Sequence, residues 1–306
     1  MTTLRHENIA SRSSMSSILG HKKIAADVKK LVDAGALGHA YLFYGPAMVG
    51  KKTCALALAR FLEKGIFEPP TEGEVLQDSE IIDLAFAKRL DPDRKGDSIG
   101  IDAALEVQHF LWQKPNVSAR RTLILDEAEF LTSEAQNALL KITEEPPASS
   151  LIILISSDPE GLLSTIASRV SKIYFGLVPE REIVSWLTEE RKLSAADAKK
   201  FAKQSFGKPG LAIRLAEDEA LQKNAVLAEK LLKIQPAARR DLIKEILEPD
   251  DFNFNKFIDA LVLVLAGEKE SKTRNILWHR TLALADREAN FSLNPRLQIE
   301  NLFVGE

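Results

Sequence analysis

The sequence contains a single cysteine, Cys54, among 306 residues. One cysteine excludes an internal disulfide framework and any zinc site built from several cysteines. Long apolar runs are also lacking, since the longest, residues 151–155 and 260–266, fall far short of the roughly 20 residues that a helix needs to cross a bilayer. The amino end has no continuous apolar stretch of the signal-peptide kind. We therefore expect a cytoplasmic protein that does not enter a membrane.

Neither sign of charge predominates in this chain. The 41 basic and 44 acidic residues leave a net charge of −3, which argues against a surface coated in basic charge for wrapping nucleic acid. Any contact with DNA is therefore expected to be local. Apolar residues make up 45% of the chain and charged residues 28%, the balance of an ordinary globular protein, and the length suits two or three domains.

Three short apolar runs predict buried strands, namely residues 40–44, residues 121–125 and the run that begins at Leu151. Helical patterns separate them, and a strand–helix–strand repeat predicts a parallel sheet covered by helices. Residues 1–17 are polar and serine-rich and are interpreted as a loose tail. The predicted sheet domain then spans residues 18–175.

Two other parts of the chain differ from this pattern. Residues 64–100 are rich in Pro, Gly, Asp and Glu and are interpreted as an insertion with one helix around residues 81–89. Beyond residue 175 only helical patterns occur. Short, broken helices predict a small domain over residues 176–217, and longer ones predict an all-helical domain over residues 218–306.

A phosphate-binding loop is predicted between the first strand and the next helix. The stretch from Gly45 through Gly50 to Lys51 matches the first seven positions of G-x-x-x-x-G-K-[ST], in which glycine backbone N–H groups and the lysine hold phosphates. The eighth position, whose hydroxyl normally binds Mg²⁺, is Lys52. Thr53 follows about 100° further round the helix and is poorly placed to replace that hydroxyl. Either ATP with Mg²⁺ binds here weakly or not at all, or the segment is only a tight turn.

Polar residues end the next two predicted strands. Asp126 and Glu127 follow one of them, where Asp126 would hold a metal through water and Glu127 would orient the attacking water. Alternatively, both acids cap the following helix. Ser157 ends the other strand and would hydrogen-bond the attacking water or the terminal phosphate, or merely form a turn.

Taken together, the sequence resembles the AAA+ clamp-loader family. The resemblance is carried, in this order along the chain, by ILG (18–20), GHAYLFYGP (38–46), LILDEAE (123–129), NALLKITEEPP (137–147), SSDP (156–159), IASRV (166–170) and GKPGLAIRLAE (207–217). NALLKITEEPP is the most specific of these stretches. It looks like the clamp-loader form of the helix that follows the acidic strand end.

The resemblance implies a P-loop AAA+ domain with a parallel sheet, then a small helical lid domain and an all-α collar domain. It also implies a ring-like assembly that opens a sliding clamp and places it on primed DNA. The implied partners are other clamp-loader subunits of the gamma/tau and delta types, primer–template DNA within the assembly and, indirectly, the clamp itself.

Arg169 is the catalytic residue that the resemblance implies. The segment Ser168-Arg169-Val170 corresponds to the family's Ser-Arg-Cys motif, whose arginine reaches the ATP of the adjacent subunit. The alternative is an ordinary surface ion pair. Gly210 lies near the position of the family's lid arginine, and residues 64–100 lack the cysteines of the related zinc module, so no zinc is expected. These departures favour a subunit that serves its neighbour's site better than its own.

Two rival functions remain open at this point. An active AAA+ motor subunit would use Lys51, Asp126 and Glu127 to hydrolyse its own ATP. A stand-alone P-loop nucleotide kinase would act on a small acceptor without partner subunits. The helical last third of the chain and NALLKITEEPP argue against the kinase.

Overall fold

A computed structural model describes residues 18–91, 97–249, 252–288 and 294–303 of the chain. Two compact units are distinguished. The first contains the residues up to Lys192 together with Gly207–Gly210, and the second contains Leu193–Phe206 and the residues from Leu211 onward. The predicted tail, residues 1–17, lies outside the described residues. The domain boundaries at residues 176 and 218 stay predictions.

The first unit is built on a five-stranded sheet. Its strands, in chain order, are β1 (Ala40–Tyr44), β2 (Ser79–Ile82), β3 (Arg121–Leu125), β4 (Ser150–Ser156) and β5 (Ser171–Tyr174). They lie in the order β2-β3-β4-β1-β5, and every neighbouring pair is parallel. The predicted parallel sheet is confirmed. Because all strands run the same way, their carboxyl ends meet at one edge, where Tyr44 lies beside Ser156.

Helices cover both faces of this sheet. Those of the first unit are α1 (Lys22–Asp33), α2 (Lys51–Lys64), α3 (Leu84–Leu90), α4 (Ile101–Trp112), α5 (Ser133–Glu144), α6 (Ser164–Ala167) and α7 (Glu180–Glu189). Successive strand residues point to opposite faces, so Leu42 belongs to the core under α4 and α5 while Phe43 belongs to the core under α1 and α2.

Two edge strands were not predicted. β2 lies in the stretch interpreted as an insertion, and the helix expected around residues 81–89 is wrong at its start, because Ile81 and Ile82 belong to the strand and α3 begins only at Leu84. Both missed strands have only four residues and lie at the two ends of the sheet order. They are too short for a clear period, and the side chains of β5 are largely exposed.

The second unit is helical. α9 (Pro209–Glu217) crosses from the first unit into it, and its other helices are α8 (Ala195–Gln204), α10 (Glu219–Lys233), α11 (Pro236–Leu247), α12 (Phe254–Gly267), α13 (Lys272–Glu288) and α14 (Pro295–Leu302). Phe257, Leu261 and Leu265 of α12 are buried in its core, as their helical spacing suggests. Within the described ranges, no helix is long and apolar enough to span a membrane.

Candidate functional site

The predicted site residues meet at the carboxyl edge of the sheet. Gly45 follows β1, Asp126 follows β3 and Ser157 follows β4, so three neighbouring strands deliver them to one place. β2, which the sequence interpretation missed, adds Asp83 beside Asp126. In open α/β sheets, ligands bind at this edge.

The loop between β1 and α2 depends on glycine. Gly45 has a φ of +134°, and a Cβ atom there would overlap the carbonyl oxygen of Phe175. Gly50 has a φ of +107° and is the N-cap residue directly before α2. L-residues with a Cβ rarely adopt such backbone angles. The backbone of this loop therefore requires glycine at both positions, and phosphate binding by it stays a prediction.

Lys51, the lysine of the loop motif, turns back onto its own loop. Its Nζ donates to the carbonyl oxygens of Gly45 at 2.6 Å and Pro46 at 2.7 Å, and to Ser157 Oγ at 3.3 Å. The side chain is buried, and this desolvation lowers the pKa of Lys51 even though Glu129 and Asp126 oppose the shift. Lys51 thus ties the loop to the end of β4.

Lys52 occupies the position of the missing hydroxyl and forms two ion pairs. Its Nζ lies 3.1 Å from Asp126 Oδ2 and 3.3 Å from Asp83 Oδ2. Burial lowers the pKa of Lys52, but the two carboxylates outweigh burial and hold that pKa above its ordinary value. Thr53 is half-buried one residue further along α2. The carboxylate predicted to hold a metal therefore faces an ammonium group.

Glu127 follows β3 in the chain, and its side chain contacts the first residue of α3. Its backbone adopts a left-handed φ of +57°, and its carboxylate accepts a hydrogen bond from the Leu84 N–H at 3.3 Å. Asp83 caps the same helix by accepting from the Phe86 N–H at 2.9 Å. Burial raises the pKa of Glu127, and Asp126 and Asp83 raise it further. The Glu127 side chain therefore caps α3, which follows β2, and not the helix that follows β3.

Ser157 and Glu129 join the ends of β3 and β4. The Ser157 N–H donates to Glu129 Oε1 at 3.1 Å, while the hydroxyl accepts from Lys51. Glu129 Oε2 is buried and has no hydrogen-bond partner in the part of the chain that the structure describes. Ser157 therefore contacts Lys51 of the predicted phosphate loop directly, and its role in binding a terminal phosphate stays a prediction.

His21 supports the same loop from α1. Its Nε2 lies 3.0 Å from the carbonyl oxygen of Val49, and its ring packs edge-on against Phe175 at a centroid distance of 4.8 Å. Burial lowers the pKa of His21. These contacts give His21 a structural role beside the loop.

Gly210 packs against the backbone of the predicted phosphate loop. Its N–H donates to the Met48 carbonyl oxygen at 2.9 Å. A Cβ atom at this position would lie 3.1 Å from both Met48 Cβ and that oxygen. Arg214, four residues on, instead forms an ion pair with Asp259 at 3.6 Å within the second unit.

Arg169 follows α6 and is partly exposed. Its Nη2 lies 2.6 Å from Glu144 Oε1, and its Nη1 donates to the Thr165 carbonyl oxygen at 2.7 Å. The side chains of Arg169 and Glu144 keep 36% and 48% of their surface exposed. The ion pair considered as an alternative for Arg169 therefore exists, and it lies where a neighbouring molecule can reach it.

Three residues at these contacts were not singled out from the sequence as site residues: Asp83, Glu129 and Glu144. Asp83 follows a strand that was itself missed. Glu129 stands in the same acidic run as Asp126, and Glu144 stands inside NALLKITEEPP, so both carried a signal in retrospect.

The fold and these motifs together define an AAA+ protein of the clamp-loader type. A solved structure of a DNA polymerase III gamma subunit-related protein from Thermotoga maritima has the same fold, with a TM-score of 0.57 at 21% identity over 92% of this chain and 96% of that one. The family model described as DNA polymerase III, delta subunit matches residues 20–178. The chain belongs to the DNA polymerase III delta-prime subunit family.

The curated relatives include delta-prime and gamma/tau subunits of DNA polymerase III. The delta-prime subunit of Escherichia coli is 32% identical over 148 residues, covering 48% of this chain and 44% of that protein. The delta-prime subunit of Pseudomonas aeruginosa is 31% identical over 210 residues, 65% of this chain and 63% of that protein. The gamma/tau subunit of Mycobacterium bovis is 34% identical over 176 residues, 55% of this chain and 30% of that protein. The chain thus matches less than two thirds of the length of these relatives.

Proposed function

We propose that this chain acts in DNA replication as a delta-prime-type clamp-loader subunit of the DNA polymerase III holoenzyme. It helps to load the sliding clamp onto primed DNA, its own nucleotide site is degenerate, and Arg169 serves the ATP of a neighbouring subunit. The observation that carries the proposal is the identity and pairing of Lys52, which faces Asp126 at 3.1 Å.

The residues at the strand ends do not fit a Mg²⁺ ion. Magnesium prefers an octahedron of oxygen ligands, and P-loop proteins supply a Ser or Thr hydroxyl and an Asp carboxylate. Here Lys52 replaces the hydroxyl and also neutralises Asp126. Without the metal, the charge that develops during phosphoryl transfer loses a principal stabiliser. We therefore expect this chain to bind ATP weakly or not at all and to hydrolyse little or none of it.

Arg169 supports the second half of the proposal. Its guanidinium is partly exposed and is held by Glu144 outside the chain's own phosphate loop. An arginine supplied in trans stabilises the transferring phosphoryl group and raises turnover by roughly 10³–10⁵-fold. A subunit that cannot turn over its own ATP can still contribute in this way.

The partners follow from the family. Other clamp-loader subunits of the gamma/tau and delta types would supply the active ATP sites, and the clamp would be contacted indirectly. Primer–template DNA would be met inside the assembly through its backbone phosphates, because the net charge of −3 provides no broadly basic surface. An active motor subunit would need Asp126 free for a metal, and the Lys52 pair disfavours that alternative.

The test is reconstitution with gamma-type and delta-type subunits, measuring ATP hydrolysis in the presence of clamp and primed DNA. Arg169→Ala is compared with Arg181→Ala, a control arginine that is exposed in the first turn of α7. We expect Arg169→Ala to lower turnover by at least about tenfold at the neighbouring site while the control stays near wild type. The isolated chain should show little or no turnover.

Unchanged turnover with Arg169→Ala in an intact assembly would contradict the role of this arginine. Robust hydrolysis by the isolated chain would instead favour the active motor. Circular dichroism of both variants establishes that they are folded, so that a lost contact is separated from a lost fold.

A further inference from the structure

We propose that the Lys52 ammonium is a resident cation that takes the place of the metal and joins the ends of β2 and β3 to α2. This inference deepens the degenerate site of the proposed function, on which it rests. It goes further by assigning Lys52 a structural role. With this ammonium in place, the ends of β2 and β3 need neither a divalent cation nor a nucleotide to keep their arrangement. It also identifies Asp83 as the second carboxylate, beside Asp126, with which this ammonium forms an ion pair.

The geometry supports one shared cation. Asp83 and Asp126 lie at the ends of the paired strands β2 and β3, in which Ile82 is opposite Leu125. A single Nζ atom lies 3.1 Å from one carboxylate and 3.3 Å from the other. The side chains of Asp126 and Asp83 keep 17% and 24% of their surface exposed, so each is largely withdrawn from water.

Charge explains why a positive group must be present. Two carboxylates held close together repel each other, and partial burial strengthens that repulsion. An ordinary P-loop protein relieves such charge with Mg²⁺. Here Lys52 comes from the first turn of α2, so the balancing charge is covalently attached and cannot leave with a nucleotide.

Removal of this ammonium should uncover a divalent-cation site. Without Lys52, the two carboxylates present oxygen ligands of the kind that hard cations prefer. Lys52→Thr also restores a hydroxyl at the position where P-loop proteins place their metal ligand. The wild-type chain should therefore bind divalent cations weakly or not at all, whereas the Lys52→Thr variant should bind them.

The experiment measures Mn²⁺ binding to the full chain by electron paramagnetic resonance of the free ion, without nucleotide. Lys64→Thr is the matched control, because Lys64 also belongs to α2, has the same 41% exposed side chain and pairs with a carboxylate, Glu74, at 2.7 Å. Wild type and Lys64→Thr should bind no more tightly than about 1 mM, and Lys52→Thr should bind at least about tenfold more tightly.

Asp83→Asn in the Lys52→Thr background should abolish the gained binding, since it removes one of the two carboxylates. Equal Mn²⁺ affinity for wild type and Lys52→Thr would overturn the proposal, as would a gain that survives Asp83→Asn. A second measurement uses the wild-type chain alone, so it does not depend on the folding of a variant. The melting temperature should be the same in Mg²⁺ and in EDTA, and a rise in Mg²⁺ would overturn the proposal. No ATP or partner is present, so this outcome is independent of the test of Arg169.

Discussion

Gly45 illustrates how one residue constrains the site. Its φ of +134° belongs to glycine, and a Cβ atom would overlap the Phe175 carbonyl oxygen. Phe175 directly follows β5, so the phosphate loop closes against the backbone at the edge of the sheet. The loop shape therefore depends on the absence of a side chain at this position.

Gly45→Ala should lower the free energy of unfolding by roughly 3 kcal/mol, because it combines backbone strain with an atomic overlap. Gly35→Ala is the matched control: Gly35 also has a positive φ, +63°, but a Cβ there meets nothing within 4 Å. That control should cost only about 1 kcal/mol. Urea unfolding of both variants checks the difference, and equal costs would show that the overlap is relieved easily.

Single residues were predictable where a motif carried them. The sequence identifies Lys51, Lys52, Asp126 and Ser157, and the structure places all four at one edge of the sheet. The sequence could not reveal the pairing of Lys52 with Asp83. These residues are 31 positions apart, and they meet only because the unpredicted strand β2 places Asp83 at the edge of the sheet. Nor does the motif predict that Glu127 caps α3, a contact that depends on the same strand.

The contact between α5 and the residues after α6 determines how Arg169 is presented. Glu144 is the last residue of α5, and Arg169 follows α6 by two residues. The carboxylate and the Thr165 carbonyl oxygen hold two nitrogen atoms of the guanidinium. Glu144 of NALLKITEEPP therefore holds Arg169, the arginine that we propose to act in trans, and this contact connects two motifs that the sequence shows separately.

Glu144→Gln should lower ATP turnover of the reconstituted assembly by about two- to fivefold, since an exposed ion pair contributes about 0.2–1 kcal/mol. The loss should be smaller than that of Arg169→Ala because the guanidinium remains. Glu145→Gln, an exposed neighbour, is the control. A combined Glu144→Gln and Arg169→Ala variant should be no worse than Arg169→Ala alone. An additional loss there would mean that Glu144 acts independently of the arginine.

Secondary structure was predictable from pattern in the centre of the sheet and not at its edges. β1, β3 and β4 are buried almost throughout and appear in the sequence as apolar runs. β2 and β5 are short and partly exposed, so their residues show neither a run nor a clear alternation. Their place in the sheet is set by pairing with β3 and β1, which local sequence does not encode.

On the scale of the whole molecule, each compact unit has its own core. The sheet unit contains two apolar clusters, one for each face, and the helical unit contains a third. Beyond residue 175 the sequence predicts only helices. The elements that the structure describes after β5 are all helices, and the last of them is the short helix Pro295–Leu302. The surfaces that would contact partner subunits cannot be predicted from the spacing of apolar residues. That spacing indicates which residues are buried but not which molecule covers them.

We expect this chain to supply the Arg169 guanidinium to another subunit while Lys52 neutralises Asp83 and Asp126 at its own strand ends. The most direct measurement is a cryo-electron microscopy structure of the reconstituted clamp loader with a non-hydrolysable ATP analogue. We expect Arg169 to lie within about 3 Å of a phosphate oxygen of the triphosphate bound to the adjacent subunit. An Arg169 that remains on Glu144, distant from every bound triphosphate, would contradict the account.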